Sequence, residues 1–90
     1  MIIETRNTED LGMDNQAGMV FIMTNSNQPI LAQMDRECFM DAVKNKFIVF
    51  EKAAFIESWD CTNGRFVSDK AGWIDDLLIS TSIIKWVRFY

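Results

Sequence analysis

Side chains able to do covalent chemistry are few in this ninety-residue chain, and they are not grouped. Histidine is absent, which removes the residue best suited to moving protons near neutral pH. Cys38 and Cys61 therefore have no imidazole to activate them. The adjacent carboxylates Asp75 and Asp76 come nearest to an acid–base pair. On a strand, however, neighbouring side chains point to opposite faces, so two such groups do not converge on one substrate. Glu9, Asp10 and Asp14 form a second acidic group, without the alternating ligands and closing glutamate of a calcium loop. There is no glycine-rich phosphate loop and no metal-ligand spacing. The expectation is a protein that is not an enzyme, takes no metal or cofactor, and carries its acidic residues as solvated surface.

The totals suit one folded domain spanning residues 1–90. Hydrophobic residues make up 49% of the chain and charged ones 24%, a composition that supports a core and excludes a disordered tail. A domain of this length buries only ~60–65% of its unfolded surface, so association stabilises it. The net charge of −4 gives no general attraction to nucleic acid or anionic lipid, and any basic surface must be local. Two cysteines are too few for a disulfide scaffold, and no secretory signal opens the sequence; this is the pattern of free thiols in a reducing cytoplasm. The longest apolar run falls well short of the ~20 residues that cross a membrane. A cytoplasmic location without membrane contact is expected.

The elements that must position any site can be taken in order. Residues 1–16 read as an N-terminal arm or loop. Residues 18–24 form the first clear strand and 29–34 the second, with the polar turn Asn25-Ser26-Asn27-Gln28 between them as in a hairpin. Pro29 suits the first position of its strand, where a missing N–H matters least. Within 35–45, Phe39 and Val43 stand four apart, as do Cys38 and Ala42; this predicts a loop with a helical turn capped by Asp35. A long strand over 47–59 bends near Lys52-Ala53-Ala54. Residues 60–73 read as an insertion loop before the fourth strand, in which Asn63-Gly64 could turn a small hairpin onto Phe66 and Val67. Two short strands, 77–80 and 85–90, close the chain around a polar corner. Short strands, abundant turn chemistry and little helix predict an all-β fold, a small five-stranded and strongly bent barrel.

The closing strand poses a problem of cover. Val87 and Phe89 face one way, and Trp86, Arg88 and Tyr90 face the other. Both sets carry bulky apolar surface. An edge strand of that kind needs something laid against it, and a second copy of the chain is the economical answer.

This order of parts resembles the Sm-like family, the small SH3-like barrels that include Sm, LSm and Hfq proteins. It is most similar to the divergent Sm-like proteins of tailed phages, cyanophages among them. The likeness runs from about residue 18 to residue 90 and lies in the layout. Val20-Phe21-Ile22-Met23-Thr24 and Pro29-Ile30-Leu31-Ala32 come first, then a loop, the long bent strand, and the strand, corner and strand of 79–89. In the family's first motif an Asp, three residues and an Asn lead into an apolar strand, as in Asp41-Ala42-Val43-Lys44-Asn45-Lys46-Phe47-Ile48-Val49. The second motif places Arg-Gly at the corner. Here Ser80-Thr81-Ser82 follows Ile79, so both the Arg and the Gly are missing. Ala32 stands for the family's second-strand glycine, and the long N-terminal helix is not evident.

The resemblance implies a homo-oligomeric ring, penta- to heptameric, in which the fourth strand of one subunit pairs with the fifth of the next. Leu78, Ile79, Lys85, Trp86, Val87, Arg88 and Phe89 would form that interface. It also implies that single-stranded RNA is held by pore loops, in RNA metabolism or regulation. Asp41 and Asn45 hold the first motif's two positions, with the Asn recognising the base. Lys44 or Lys46 would meet phosphate, and Ser80, Thr81 and Ser82 would donate hydrogen bonds without supplying the missing cation. The plainer alternative is that Asp41 and Asn45 satisfy backbone groups in a turn. A different class of function also fits an acidic barrel rich in Met and aromatics: a protein-interaction module or scaffold, such as a phage factor docking on a host protein in the host cytoplasm. Trp59, Phe66 and Trp73 would then be the contacts, unless they pack residues 60–73 onto the barrel. Salt separates the two readings, because RNA binding weakens steeply as salt rises and an apolar interface does not.

Overall fold

A computed structural model of the chain describes residues 18–90; the arm expected over 1–16, with Glu9, Asp10 and Asp14, lies outside the described residues. The elements run β1 (Met19–Thr24), β2 (Pro29–Gln33), α1 (Arg36–Ala42), β3 (Phe47–Asp60), β4 (Arg65–Ser68), β5 (Ile74–Ser80), a 3-10 turn (Thr81–Ile83) and β6 (Ile84–Phe89). The fold is all-β in character, with one antiparallel sheet of six strands.

Turn chemistry makes the first hairpin. Asn27 takes a left-handed φ of 63°, which asparagine tolerates better than most residues. Buried Thr24 closes the turn: its Oγ1 donates to the Gln28 carbonyl at 2.8 Å and accepts from the Gln28 N–H at 3.1 Å. The Gln28 side chain then donates to the Ile56 carbonyl at 3.2 Å, tethering the hairpin to β3.

Residues 36–42 form a full helix where the sequence predicts a loop with a helical turn. Asp35 caps it as expected, accepting from the Cys38 N–H at 2.8 Å, and that bond holds the Asp35 carboxyl below its ordinary range. So short a helix is not stable by itself. Phe39 supplies the missing stability, buried with its ring edge-on to Phe89 at 5.5 Å.

β3 organises the sheet by changing partners along its length. One edge pairs with β2 through residues 53–55. The other pairs with β5 through 47–53 and with β4 through 56–60. The sheet therefore has six strands where five are expected. The additional one, β4, lies inside the presumed insertion loop, and its Phe66 and Val67 are core residues. Phe66 stacks on Phe21 at 5.2 Å, so burial of a large ring draws this segment onto the sheet.

Strand order β5-β3-β2-β1-β6 places β5 and β6 at opposite ends of a five-strand path. Laid flat, strands spaced ~4.8 Å apart would put those ends about 19 Å from each other. A three-residue turn joins them, so the sheet must curl. β1 is buried at all six positions and divides two apolar clusters. Val20 and Ile22 face Ile30, Phe39, Ile48, Phe50 and Ile79, while Phe21 and Met23 face Leu31, Ile56 and Phe66.

β6 shares both clusters. Val87 and Phe89 pack on the first and Tyr90 on the second, and Trp86 leans on Phe21 at 5.7 Å. Much of the apolar surface assigned to a second copy is thus covered within the chain. The acidic pair also departs from simple alternation, because Asp76 has a left-handed φ of 53°. Asp75 forms an ion pair with Lys52 across the strands, both side chains exposed, which contributes ~0–1 kcal/mol.

Ser68 is fully buried, and its hydroxyl has no hydrogen-bond partner among the described residues. An unsatisfied buried hydroxyl costs about 1–3 kcal/mol, so Ser68→Ala should raise the unfolding free energy by about 1 kcal/mol in a urea titration. A fall in stability would show that the hydroxyl is bonded in solution.

Candidate functional site

Pairing of β3 with β5 sets Phe47 opposite Ser80, which brings the segment after α1 against the 3-10 turn. Thr81 fastens the two. Its N–H donates to the Lys46 carbonyl at 2.9 Å, and its hydroxyl lies 2.9 Å from the Asn45 carbonyl and 3.1 Å from that of Lys46. The β1–β2 turn joins from the other side, with the Asn25 N–H donating to the Ile83 carbonyl at 2.8 Å and its side chain to the Ser82 carbonyl at 3.2 Å. Three loops therefore meet at one end of the sheet.

This junction contains Lys44, Asn45, Lys46, Ser80, Thr81 and Ser82, with Asp41 on the last turn of α1 just behind. Lys44, Asn45, Lys46 and Ser82 are exposed. The turn after α1 is closed by backbone groups, Lys44 N–H to the Asp41 carbonyl at 3.3 Å and Asn45 N–H to the Ala42 carbonyl at 3.0 Å. Thr81 has its single hydroxyl proton engaged with the loop carbonyls and cannot also donate to a ligand. The Ser80 and Ser82 hydroxyls lie 2.8 Å apart, so one proton serves that bond and one is left to donate outward.

The junction thus offers two ammonium groups, a carboxamide and a hydroxyl. It also offers a ring that sequence reasoning passed over. Phe47 is 58% exposed at the mouth of β3, directly after Lys46. The signal was its place at the start of a strand whose inward positions are Ile48 and Phe50, which turns Phe47 outward. An aromatic face beside an amide and two cations can stack on a planar base, bond its edge and neutralise phosphate.

A second feature lies along the strand edges. Among the described residues, β5 pairs only with β3 and β6 only with β1, so each has one open edge. Beside the β5 edge, Leu78 stands opposite Val49 and shares its face with Phe47; all three are more than half exposed. On β6, Trp86 is 43% exposed, and Lys85 and Arg88 are exposed with it. Ile79 is buried in the first cluster and can reach a neighbour only through its backbone. Val87 and Phe89 pack against that cluster and are partly buried, leaving little side chain for a neighbour. Of the rings proposed to meet a foreign protein, Phe66 is core, Trp73 packs on the second cluster, and Trp59 is 40% exposed.

Both cysteines are unpaired. A hydrogen bond from the exposed Cys38 thiol to Asp35, with the nearby negative charge, pushes its pKa up and makes it a poor nucleophile. Among the described residues no cluster of three or more His, Cys, Asp or Glu could hold a metal, and no helix is long and apolar enough to cross a membrane. Comparison of the chain with known protein families, curated proteins and solved structures finds no match.

Because Thr81 ties two loops with one hydroxyl, Thr81→Val should cost about 1 kcal/mol of stability in chemical denaturation while Thr81→Ser costs less. A Thr81→Val variant as stable as the natural chain, with the loss appearing in Thr81→Ser instead, would assign the effect to the methyl group.

Proposed function

We propose that the chain is the subunit of an Sm-like homo-oligomeric ring that holds single-stranded RNA at its three-loop end. The observation that carries this reading is the pair of open edges, β5 and β6, each flanked by an exposed apolar side chain. Pairing β5 of one copy with β6 of the next joins two different surfaces, a heterologous contact that closes into a ring. Trp86 of the second copy then covers Leu78 and Val49, and the ladder hydrogen bonds come from the backbone on either side of Ile79 and Val87.

At the junction, Phe47 stacks on a base, the Asn45 amide bonds its edge, and Lys44 and Lys46 meet phosphate. With the family's arginine missing and a net charge of −4, this binding is modest and depends strongly on salt. Such a ring would act in RNA metabolism or regulation in the cytoplasm, that of the host if a phage encodes it. One observation favours a second reading. The Phe47, Val49 and Leu78 stripe is apolar and exposed, and a host protein could cover it in place of a neighbouring subunit.

Mass in solution tests the ring. The natural chain should be an oligomer, and Trp86→Glu a smaller and less stable species; two well-folded monomers would end the proposal. Cysteines placed at positions 78 and 86 of a chain lacking Cys38 and Cys61 should cross-link into a ladder of multimers under oxidation.

For RNA, binding of short single-stranded oligomers should weaken on raising salt. Phe47→Ala should lose about 1–3 kcal/mol, the scale of one base stacked on an aromatic ring, and Asn45→Ala should weaken binding as well. Affinity indifferent to both variants and to salt would remove the RNA site and favour protein docking.

A further inference from the structure

We propose that Asn63 is a site of spontaneous deamidation gated by opening of the β3–β4 turn, with Asp60 as the group that guards it. This inference is independent of the ring. In an Asn-Gly pair the glycine has no side chain to shield its nitrogen, so that nitrogen can reach the preceding carboxamide with unusual ease. Here the pair sits in residues 61–64, the link between paired Asp60 and Arg65.

The closed turn restrains each atom the reaction needs. The Asn63 amide nitrogen donates to Asp60 Oδ2 at 2.7 Å, and the Asn63 backbone N–H to Asp60 Oδ1 at 3.3 Å. Gly64 is buried with φ 64°, and its N–H donates to the Cys61 carbonyl at 3.3 Å. Deamidation starts when the Gly64 nitrogen loses its proton to base and attacks Asn63 Cγ. A C–N bond forms, and the Asn63 amide nitrogen takes a proton from water and leaves as ammonia. Water then opens the cyclic imide to an aspartyl or isoaspartyl residue, with no oxidant or reductant involved. In the closed turn the attacking nitrogen is buried and hydrogen-bonded, and the target amide is pinned. The Asp60 carboxylate also opposes the negative charge that must develop nearby. Reaction therefore runs through the opened turn.

The product prevents the turn from reclosing in its original form. A carboxylate at position 63 would face Asp60 across the gap that an N–H···O bond now spans, and like charges that close repel. The hydrogen bond from the Asn63 side chain is what holds the Asp60 carboxyl below its ordinary range, and the reaction replaces it with repulsion. β4 begins just beyond, carrying Phe66 onto Phe21, so a loosened turn is felt in the second apolar cluster. One slow bond change thus converts a transient opening into a permanent one.

The test follows the mass of the peptide containing residues 60–65 while the full-length protein is held at mildly alkaline pH. The folded natural chain should deamidate slowly and the chain in unfolding urea quickly. Asp60→Ala should react about tenfold faster than the natural chain, the scale set by one lost hydrogen bond to a charged group. Equal rates for Asp60→Ala and the natural chain, or for the folded and urea-unfolded chain, would overturn the proposal. Should Asp60→Ala fail to fold, Asn63→Asp and Asn63→Ala are compared by thermal melting. Both lack the amide, but only Asn63→Asp places a charge against Asp60 and should melt lower; equal melting would refute the guard.

Discussion

Strand β1 has to satisfy apolar surroundings on both sides at once, and the other elements are arranged to supply them. Its even-numbered side chains need a lid, which α1 provides through Phe39 together with Ile48, Phe50 and Ile79. Its odd-numbered side chains need another, which the far half of β3 and the β4 hairpin provide through Ile56 and Phe66. Neither lid could exist without β3, which runs past β2, β4 and β5 and serves the two clusters in turn. Two small clusters around one strand explain how so short a chain buries three of its phenylalanines completely.

The short connection between β5 and β6 has a different effect. It forces the sheet to curl, and it sets loops from distant parts of the sequence side by side. Thr81 and Asn25 then hold those loops with hydrogen bonds to main-chain carbonyls, so the exposed lysines, amide and phenyl ring rest on a braced frame. Side chains left over after this bracing are the ones available to a ligand.

Local chemistry made much of the fold readable in advance. The Asn/Ser turn before Pro29, the Asp35 cap, the Asn63-Gly64 turn and the alternating apolar strands are each specified by neighbours in sequence. Features that depend on distant partners were not readable. The helix over 36–42 exists because Phe39 finds Phe89, and β4 belongs to the sheet because Phe66 finds Phe21. The two apolar faces of β6 signalled a need for cover without saying that the chain's own clusters meet most of it. Grouping of Asp41, Lys44, Asn45 and Lys46 with 80–82 followed from the family likeness, whereas the exposure of Phe47 and the engagement of Thr81 depend on strand pairing that no local pattern announces. The left-handed Asp76 had no local sign, since aspartate occupies ordinary strand positions as readily.

The pairing of Val20 with Phe89 gives this small molecule an awkward order of assembly. Hairpins β1–β2 and β3–β4 close over short loops and can form as soon as their residues are available. The strand that completes the central one lies at the far end of the described sequence, and its docking must overcome the entropy of closing a loop over most of the described residues. Until that happens, the most apolar strand in the protein has a bare hydrogen-bonding edge. Docking of β6 is therefore expected to be both the slow step of folding and the step at which an unfinished chain is most prone to stick to another.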